Sequence, residues 1–353
     1  MPPAVHGKAF VIASTLVTGA AGLLGGEVCA RLIAAGHRVT ALVHRTPDVR
    51  ANDGSAVPAR TLTGDVSQPR FGWDDELFAK VAEAHDLVIH CAATVRFGLD
   101  EADYRAVNVD GVAHMLELAQ AGEMAVLHVS TAYVCGARDG VIREDDPLPD
   151  GGFANGYEAS KAAGERLVRA SDLRWAIVRP SIVVGEHDSG AIRQFDTTYA
   201  AFKLIAEGRV KHMPARAGAT LDFVPIDHVA KGIVTIAANL GGTSGASSGG
   251  TFHLVAGQPV PVADFTGAIG AYSQFHEPEL FAPEKFDPAT LPAIERRLFK
   301  RIAGLYASYF QRDPHFDDSA FRQLGGEACP ATGKPYIHRL IDYCIEADFL
   351  PNA

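Results

Sequence analysis

Cysteine is scarce in this chain of 353 residues: there are five, none in a C-x-x-C pair. Cys29, Cys91, Cys135, Cys329 and Cys344 are scattered, so neither a disulfide framework nor a zinc site is indicated, and a reducing compartment suits the chain. Cys29 and Cys91 lie within apolar runs, where packing is their expected role. A long hydrophobic run is also lacking. None reaches the ~18 residues of a membrane span, and no basic leader precedes an apolar stretch near the start, so a cytoplasmic protein is expected. Positive charge is in short supply: 32 Lys and Arg stand against 42 Asp and Glu. The resulting net charge of −10 argues against nucleic acid or an anionic membrane as the main partner.

Glycine is plentiful, and one cluster is organised. Thr18-Gly19-Ala20-Ala21-Gly22-Leu23-Leu24-Gly25 follows the apolar run Thr15-Leu16-Val17 and opens into helical periodicity from Glu27 to Ala35, with Gly36 where a C-cap would sit. A strand, a glycine turn and a helix N-terminus make an anion site, because the first helical N–H groups are unpaired and glycines admit a diphosphate to the backbone. The spacing is G-x-x-G-x-x-G rather than G-x-G-x-x-G, and alone it is also what an ordinary turn looks like.

Further along, apolar β-branched segments alternate with helical ones. Strands are expected at His37–Val43, Thr61–Thr63, Asp86–Ala93, Ala125–Val129 and Trp175–Val178. Helices are expected at Asp74–Ala84, Glu101–Ala121 and Asn155–Ala170. Six strands so arranged indicate an α/β fold, a doubly wound parallel sheet of the Rossmann type. Residues 1–185 would form this core, with 221–256 returning to it through Asp222–Pro225, helix Asp227–Asn239 and strand-like Thr251–Val255. Residues 186–220 and 257–353 would form a smaller, mostly helical substrate lobe. The Gly/Ser stretch 241–250 reads as a surface loop. Helix Ile294–Phe310 carries Arg296, Arg297, Lys300 and Arg301, either a solvated face or a docking surface for a phosphate-bearing acyl carrier.

The chemistry centres on Tyr157-Glu158-Ala159-Ser160-Lys161. Tyr and Lys four apart share a helix face. An ammonium beside the phenol would favour phenolate and lower its pKa. The fifth strand ends in Ser130-Thr131, which puts a hydroxyl at the C-terminal edge of the sheet, where ligands bind in this architecture. His187, Asp188, His212 and His228 lack metal-ligand spacing and read as surface or loop residues; no metal is expected.

With these residues the chain resembles the extended short-chain dehydrogenase/reductase family from Thr15 to about Val255. The glycine turn matches its cofactor turn, Gly64-Asp65-Val66 its adenine-contacting turn, and His90-Cys91-Ala92-Ala93 its strand end beside the cofactor. Asn108-Val109-Asp110-Gly111 matches its N-V-x-G helix, Val129 to Gly136 the strand with the catalytic hydroxyl, and Arg179-Pro180-Ser181-Ile182-Val183-Val184-Gly185 the turn abutting the nicotinamide. The resemblance implies catalytic residues Thr131 (rather than Ser130), Tyr157 and Lys161, with Asn108 supporting the lysine. It implies a cofactor site of Gly19, Gly22, Leu23, Leu24, Gly25, His44, Arg45, Asp65, Val66, Ala92, Ala93, Thr94, Ser130, Tyr157, Lys161, Pro180, Ile182 and Val183. After the second strand stand His44-Arg45, with no acid before Asp48, which favours the 2′-phosphate of NADP(H) over the free hydroxyl of NAD.

Within that family the chain resembles the acyl-thioester reductases: the reductase domains of carboxylic acid reductases and of peptide or polyketide assembly lines, and fatty acyl-CoA reductases. The similar stretches are His90-Cys91-Ala92-Ala93-Thr94-Val95-Arg96-Phe97 with Tyr104 to Gly111, Gly64 to Gly72 (Phe71 replacing the usual Leu), and His315-Phe316-Asp317-Asp318-Ser319. The implied reaction is hydride transfer from NADPH to an acyl thioester on coenzyme A or a carrier protein, giving aldehyde or alcohol. Reduction of a ketone or aldehyde uses the same residues. A nucleotide-sugar epimerase or dehydratase and a non-catalytic NADP-binding protein are the remaining alternatives, and either a monomer or a homodimer suits the family.

Overall fold

The residues that alternate along each central strand face two different helical layers. In β1 (Ser14–Thr18), Leu16 and Val17 are both fully buried but belong to opposite sides of the sheet, as do Val88 and Ile89 in β4. A computed structural model describes residues 14–240 and 249–352. Its sheet has seven strands: β1, β2 (Arg38–Val43), β3 (Arg60–Thr63), β4 (Leu87–His90), β5 (Ala125–Val129), β6 (Trp175–Pro180) and β7 (Gly250–Leu254). They stand in the order β3-β2-β1-β4-β5-β6-β7, every neighbouring pair parallel. The expected doubly wound sheet is therefore present. Its order reverses between β1 and β4, and in such sheets a ligand crevice opens there, beyond the strands' C-terminal ends. The strand-like stretch Thr251–Val255 supplies β7, whereas residues 241–248 of the Gly/Ser loop lie outside the described residues.

The helices α1 (Leu23–Ala34), α2 (Asp75–Ala84), α3 (Glu101–Arg105), α4 (Gly111–Ala121) and α5 (Gly156–Arg169) follow the expected order. α1 ends in a Schellman turn: Gly36 has φ +87°, and the His37 amide donates to the Leu32 carbonyl. α2 is capped by Asp74, which accepts from the Leu77 amide. The helix expected over Glu101–Ala121 is not one regular piece. Between α3 and α4, residues Ala106–Asp110 form a π turn. α5 packs closely on that bulge at Gly164, where a Cβ would lie 2.7 Å from the Asn108 carbonyl.

Beyond β6 the chain builds a second apolar cluster rich in aromatics, with Tyr199, Phe202, Phe265, Phe310 and Tyr336 buried in it. Its helices are Thr197–Ala206, Val262–Gly270 and Lys334–Glu346. The continuous helix expected at Ile294–Phe310 is broken into an α-helix Ala293–Leu298, a π turn Phe299–Ala303, a short α turn Gly304–Tyr306 and a 3-10 segment Ala307–Gln311. Gly304 sits at the break, where a Cβ would approach the Phe299 carbonyl to 2.9 Å. Among the described residues no helix is long and apolar enough to cross a membrane.

Candidate active site

At the switch point lies a cleft of about 280 Å3, lined by Gly19, Gly22, His44, Arg45, Asp65, Val66 and Ala92 among others. The glycines are demanded by geometry. Gly19 has φ +66°, and a Cβ there would lie 2.6 Å from the Ala92 amide nitrogen. On Gly25 a Cβ would collide with the Gly19 carbonyl. Gly22 is the N-cap of α1 and offers no side-chain cap, so the first-turn amides keep the donor capacity that an anion needs. At the far end His44 Nε2 lies 3.5 Å from Asp65 Oδ2. Partial burial works against it, but the Ser67 hydroxyl and amide, with His44 and Arg45 nearby, hold the Asp65 carboxyl below its usual range.

One cation was not singled out by sequence. Arg193, from the loop after β6, donates from Nη2 to the Gly22 carbonyl at 3.1 Å, and its buried Nε has no partner within the protein. Its amide donates to Asn52 Oδ1, and Asn52 donates to Glu186 Oε1 and the Ala191 carbonyl, so this loop is tied to the core. The available signal was that Arg193 is the one Lys or Arg between Glu186 and Lys203. Glycines that admit no Cβ, uncapped amides and a guanidinium with a spare donor fit a dinucleotide's diphosphate.

Thr131 and Tyr157 come together on the wall of a second cavity of about 230 Å3. Asn155 caps α5, accepting from the Glu158 amide, while Glu158 Oε2 accepts from the Ala154 amide; these bonds fix the first turn of the helix, which carries Tyr157. Burial pushes the Tyr157 phenol above its ordinary value, and the neighbouring Glu158 carboxylate adds to this; the Thr131 hydroxyl acts the other way. The lowering expected from Lys161 is therefore not what the structure gives. Lys161 Nζ donates to the Val129 carbonyl at 2.7 Å, and burial presses the amine down to about 8, opposed by Glu165 and Cys91. Tyr157 is held as the neutral phenol, a hydrogen-bond donor.

Asn108 does not bond Lys161 directly. Its Nδ2 donates to the Thr94 carbonyl at 3.0 Å and Ser160 Oγ at 2.9 Å, while Oδ1 accepts from the Thr94 amide. It thus clamps the segment after β4 to α5. The end of β4 is fixed by Thr18, whose Oγ1 lies 2.9 Å from His90 Nδ1 and accepts from the Ala92 amide. Burial, with Lys161 close by, presses His90 down to about 3. Ile182 and Val183 line the second cavity, whereas Pro180 and Ser130 are buried outside its lining. Ser130 lies beside Glu165. Leu23 packs against the lobe cluster and Leu24 against the sheet layer. Ala93 and Thr94 are half-buried at the end of β4.

Two buried ion pairs anchor α5, and neither was foreseen. Arg179 makes two bonds to Glu165, Nε to Oε1 at 2.9 Å and Nη2 to Oε2 at 2.8 Å. Arg312 reaches back from the lobe to Glu158, Nη2 to Oε1 at 2.7 Å, and also donates to the Gly136 carbonyl. Of the histidines expected on the surface, His212 pairs with Glu295 and His187 with Asp188. His228 departs from expectation: it is buried on helix Ile226–Leu240 against Phe321. Asp222 joins core and lobe segments, accepting from Ser181 Oγ and the Ala256 amide.

Residues 17–233 match a family model described as "Male sterility protein" with an NAD-binding domain. The chain belongs to this family, within the extended short-chain dehydrogenases/reductases. It is 29% identical over 236 residues to a hybrid PKS-NRPS synthetase of Talaromyces variabilis, covering 63% of this chain and 6% of that protein. To fatty acyl-CoA reductase 1 of Gallus gallus it is 26% identical over 61% of this chain, spanning 52% of the relative. Among solved structures, the terminal R domain from the myxalamid PKS-NRPS biosynthetic pathway superposes with a TM-score of 0.82 at 25% identity, covering 98% of this chain and 93% of that one.

Proposed function

We propose that this chain is an NADPH-dependent reductase of acyl thioesters. The observation that carries the reading is a half-buried Tyr157 beside Thr131 on the wall of a cavity lined largely by apolar side chains. Support also comes from its similarity to proteins named as fatty acyl-CoA reductase and as an assembly-line R domain. Gly19, Gly22 and Gly25 with the α1 amides would hold the diphosphate, joined by Arg193. Asp65 would accept from the adenine amino group, and His44 and Arg45 would take the 2′-phosphate, for which arginine's fork is suited. Lys161 would hold the ribose hydroxyls.

When bound, the reduced cofactor supplies a hydride to the substrate's carbonyl carbon. Thr131 and Tyr157 would donate hydrogen bonds to the carbonyl oxygen as it becomes an oxyanion, among largely apolar side chains. Collapse of the oxyanion breaks the carbon–sulfur bond, releasing thiolate and leaving aldehyde. If the aldehyde is reduced again, Tyr157 gives its proton to the alkoxide. A carrier-borne substrate is supported by the segment 293–311. Ala303, Tyr306, Tyr309 and Phe310 line the cavity, while Ile294 (78% exposed), Arg297, Lys300 and Arg301 face outward.

The test is an acyl-thioester assay following NADPH oxidation and thiol release together. Tyr157→Phe is expected to lose roughly 10²–10³-fold in kcat, as for removal of one oxyanion donor. NADPH consumption without thiol release, or full turnover by Tyr157→Phe, would overturn the reading. Arg45→Ala is expected to weaken NADPH binding and leave NADH binding unchanged.

A further inference from the structure

The acyl group itself is constrained by the cavity beside Tyr157. Its inner wall is built from Phe202, Ile205, Leu221, Phe265, Phe310 and Ile341. Among the described residues lining it there is no lysine, arginine or histidine. The one carboxylate, Asp196, is committed to capping the helix behind it: Oδ1 accepts from the Thr198 amide at 2.9 Å and the Tyr199 amide at 3.4 Å. Two further polar groups of the wall are engaged within the protein. Ser181 Oγ donates to Asp222, and the Tyr199 hydroxyl accepts from the Gly185 amide.

A charged acyl tail entering this space sheds its hydration and meets no counter-charge, which opposes binding. Every methylene that enters is instead removed from water, and that favours it. We propose that the acyl group taken by this site is an uncharged, apolar chain or aryl group lodged in the lobe cavity, and that a terminal carboxylate excludes the substrate. The cavity's volume, about 230 Å3, and the side chains of its wall also limit the chain length admitted. The proposal rests on the thioester reading for its reaction, and on the cavity wall alone for its binding preference.

The test compares hexanoyl-CoA with adipoyl-CoA, which has the same six-carbon chain with a carboxylate in place of the terminal methyl. Two quantities are measured on the full chain: kcat/KM with NADPH, and Kd in the presence of NADP+. A preference of at least 100-fold for hexanoyl-CoA is expected in both. From butanoyl- to hexanoyl-CoA, kcat/KM is expected to rise about fourfold per methylene, until the cavity is full. Phe202→Ala and, separately, Leu221→Ala should move that limit to longer chains, so one poorly folded variant leaves the other to decide. Equal Kd values for the two thioesters, or a flat chain-length series, overturn the proposal. If the thioesters bind with the expected ratio but are not turned over, the thioester reaction fails and the binding preference stands.

Discussion

Removing the guanidinium of Arg312 should strand a buried carboxylate next to the proposed catalytic tyrosine. Glu158 is fully buried and Arg312 is 4% exposed. Besides the 2.7 Å bond to Glu158 Oε1, Arg312 Nη1 lies 3.4 Å from Oε2 and 3.1 Å from the Gly136 carbonyl. The guanidinium carbon stands 5.0 Å from the Tyr133 ring centroid and 4.6 Å from that of Tyr309. Arg312→Met keeps much of the side-chain volume and removes the charge. Glu158 then retains only local donors, the Ala154 amide at 3.0 Å and Asn155 Nδ2 at 3.4 Å. Breaking one partner of a buried pair costs about 3–5 kcal/mol. For a chain of 353 residues unfolding as one unit, that is a drop of roughly 4–7 °C in Tm.

The decisive measurement is a double-mutant cycle by urea denaturation. Glu158→Gln with Arg312→Met should recover most of the loss, because no uncompensated charge remains. The penalty of the single variant should also change little between low and high salt, unlike that of an exposed pair. Catalysis supplies a second readout, since Glu158 follows Tyr157 at the start of α5 and its displacement moves the phenol. A single-variant loss below about 1 kcal/mol, in the range of surface pairs, would refute the reasoning. So would a double variant as unstable as the two single losses added together.

The proposed role of Lys161 carries a pH dependence. Its folded-state pKa, pressed by burial to about 8, lies below the ordinary lysine value, so the ammonium is lost as pH rises through about 8. kcat/KM for NADPH should fall along that limb, and Lys161→Arg should move the limb to higher pH; a flat profile from pH 7 to 9 refutes it. By linkage, the stability contribution of this depressed base is full above the unfolded pKa and is lost as pH falls through about 8. Asp222 shows the opposite sign: burial raises its carboxyl to about 6, opposed by the bonds from Ser181 and Ala256. Its contribution is full below the ordinary aspartate pKa and is lost as pH rises through about 6, so Asp222→Asn should compare more favourably with the parent at pH 7.5 than at pH 4.5 in denaturant midpoints. Arg193→Ala should weaken NADPH binding about tenfold by fluorescence titration, the size of one charge-assisted hydrogen bond. It should leave a nicotinamide mononucleotide, which lacks the diphosphate bridge, unaffected; equal weakening of both would refute the diphosphate role.

Local patterning made the sheet and the phosphate turn readable. Strands β1, β4 and β5 are short apolar runs between turn signals, and the glycine turn occupies one contiguous segment whose backbone demands only glycine can meet. The breaks were not readable. The π turn at Ala106–Asp110 packs against α5 at Gly164, more than fifty residues away in sequence. The basic segment reads as one continuous helix because its periodicity continues through Gly304, and the local sequence carries no mark of the cavity that Ala303 and Tyr306 complete.

The burial of α5 is not legible from its composition, for a physical reason. With Glu158, Ser160, Lys161, Glu165 and Arg169 along it, the helix looks solvent-facing, yet the first four of these are buried. Each buried charge has a partner that sequence spacing cannot supply. Glu158 meets Arg312, 154 positions away; Glu165 meets Arg179 from β6; Lys161 meets a strand carbonyl. A pattern based on apolar periodicity assigns such a helix to the surface, because it counts charges without their distant counterparts. Such pairs are weak sources of net stability, and apolar residues could replace them at little cost. They matter instead because they hold orientation: the lobe reaches α5 through Arg312, the core through Arg179, and Tyr157 lies on the helix so fixed. The placement of the phenol thus depends on the contact from Arg312, and on the reading proposed above the segment that would seat the acyl group would also orient the hydroxyl proposed to act on it.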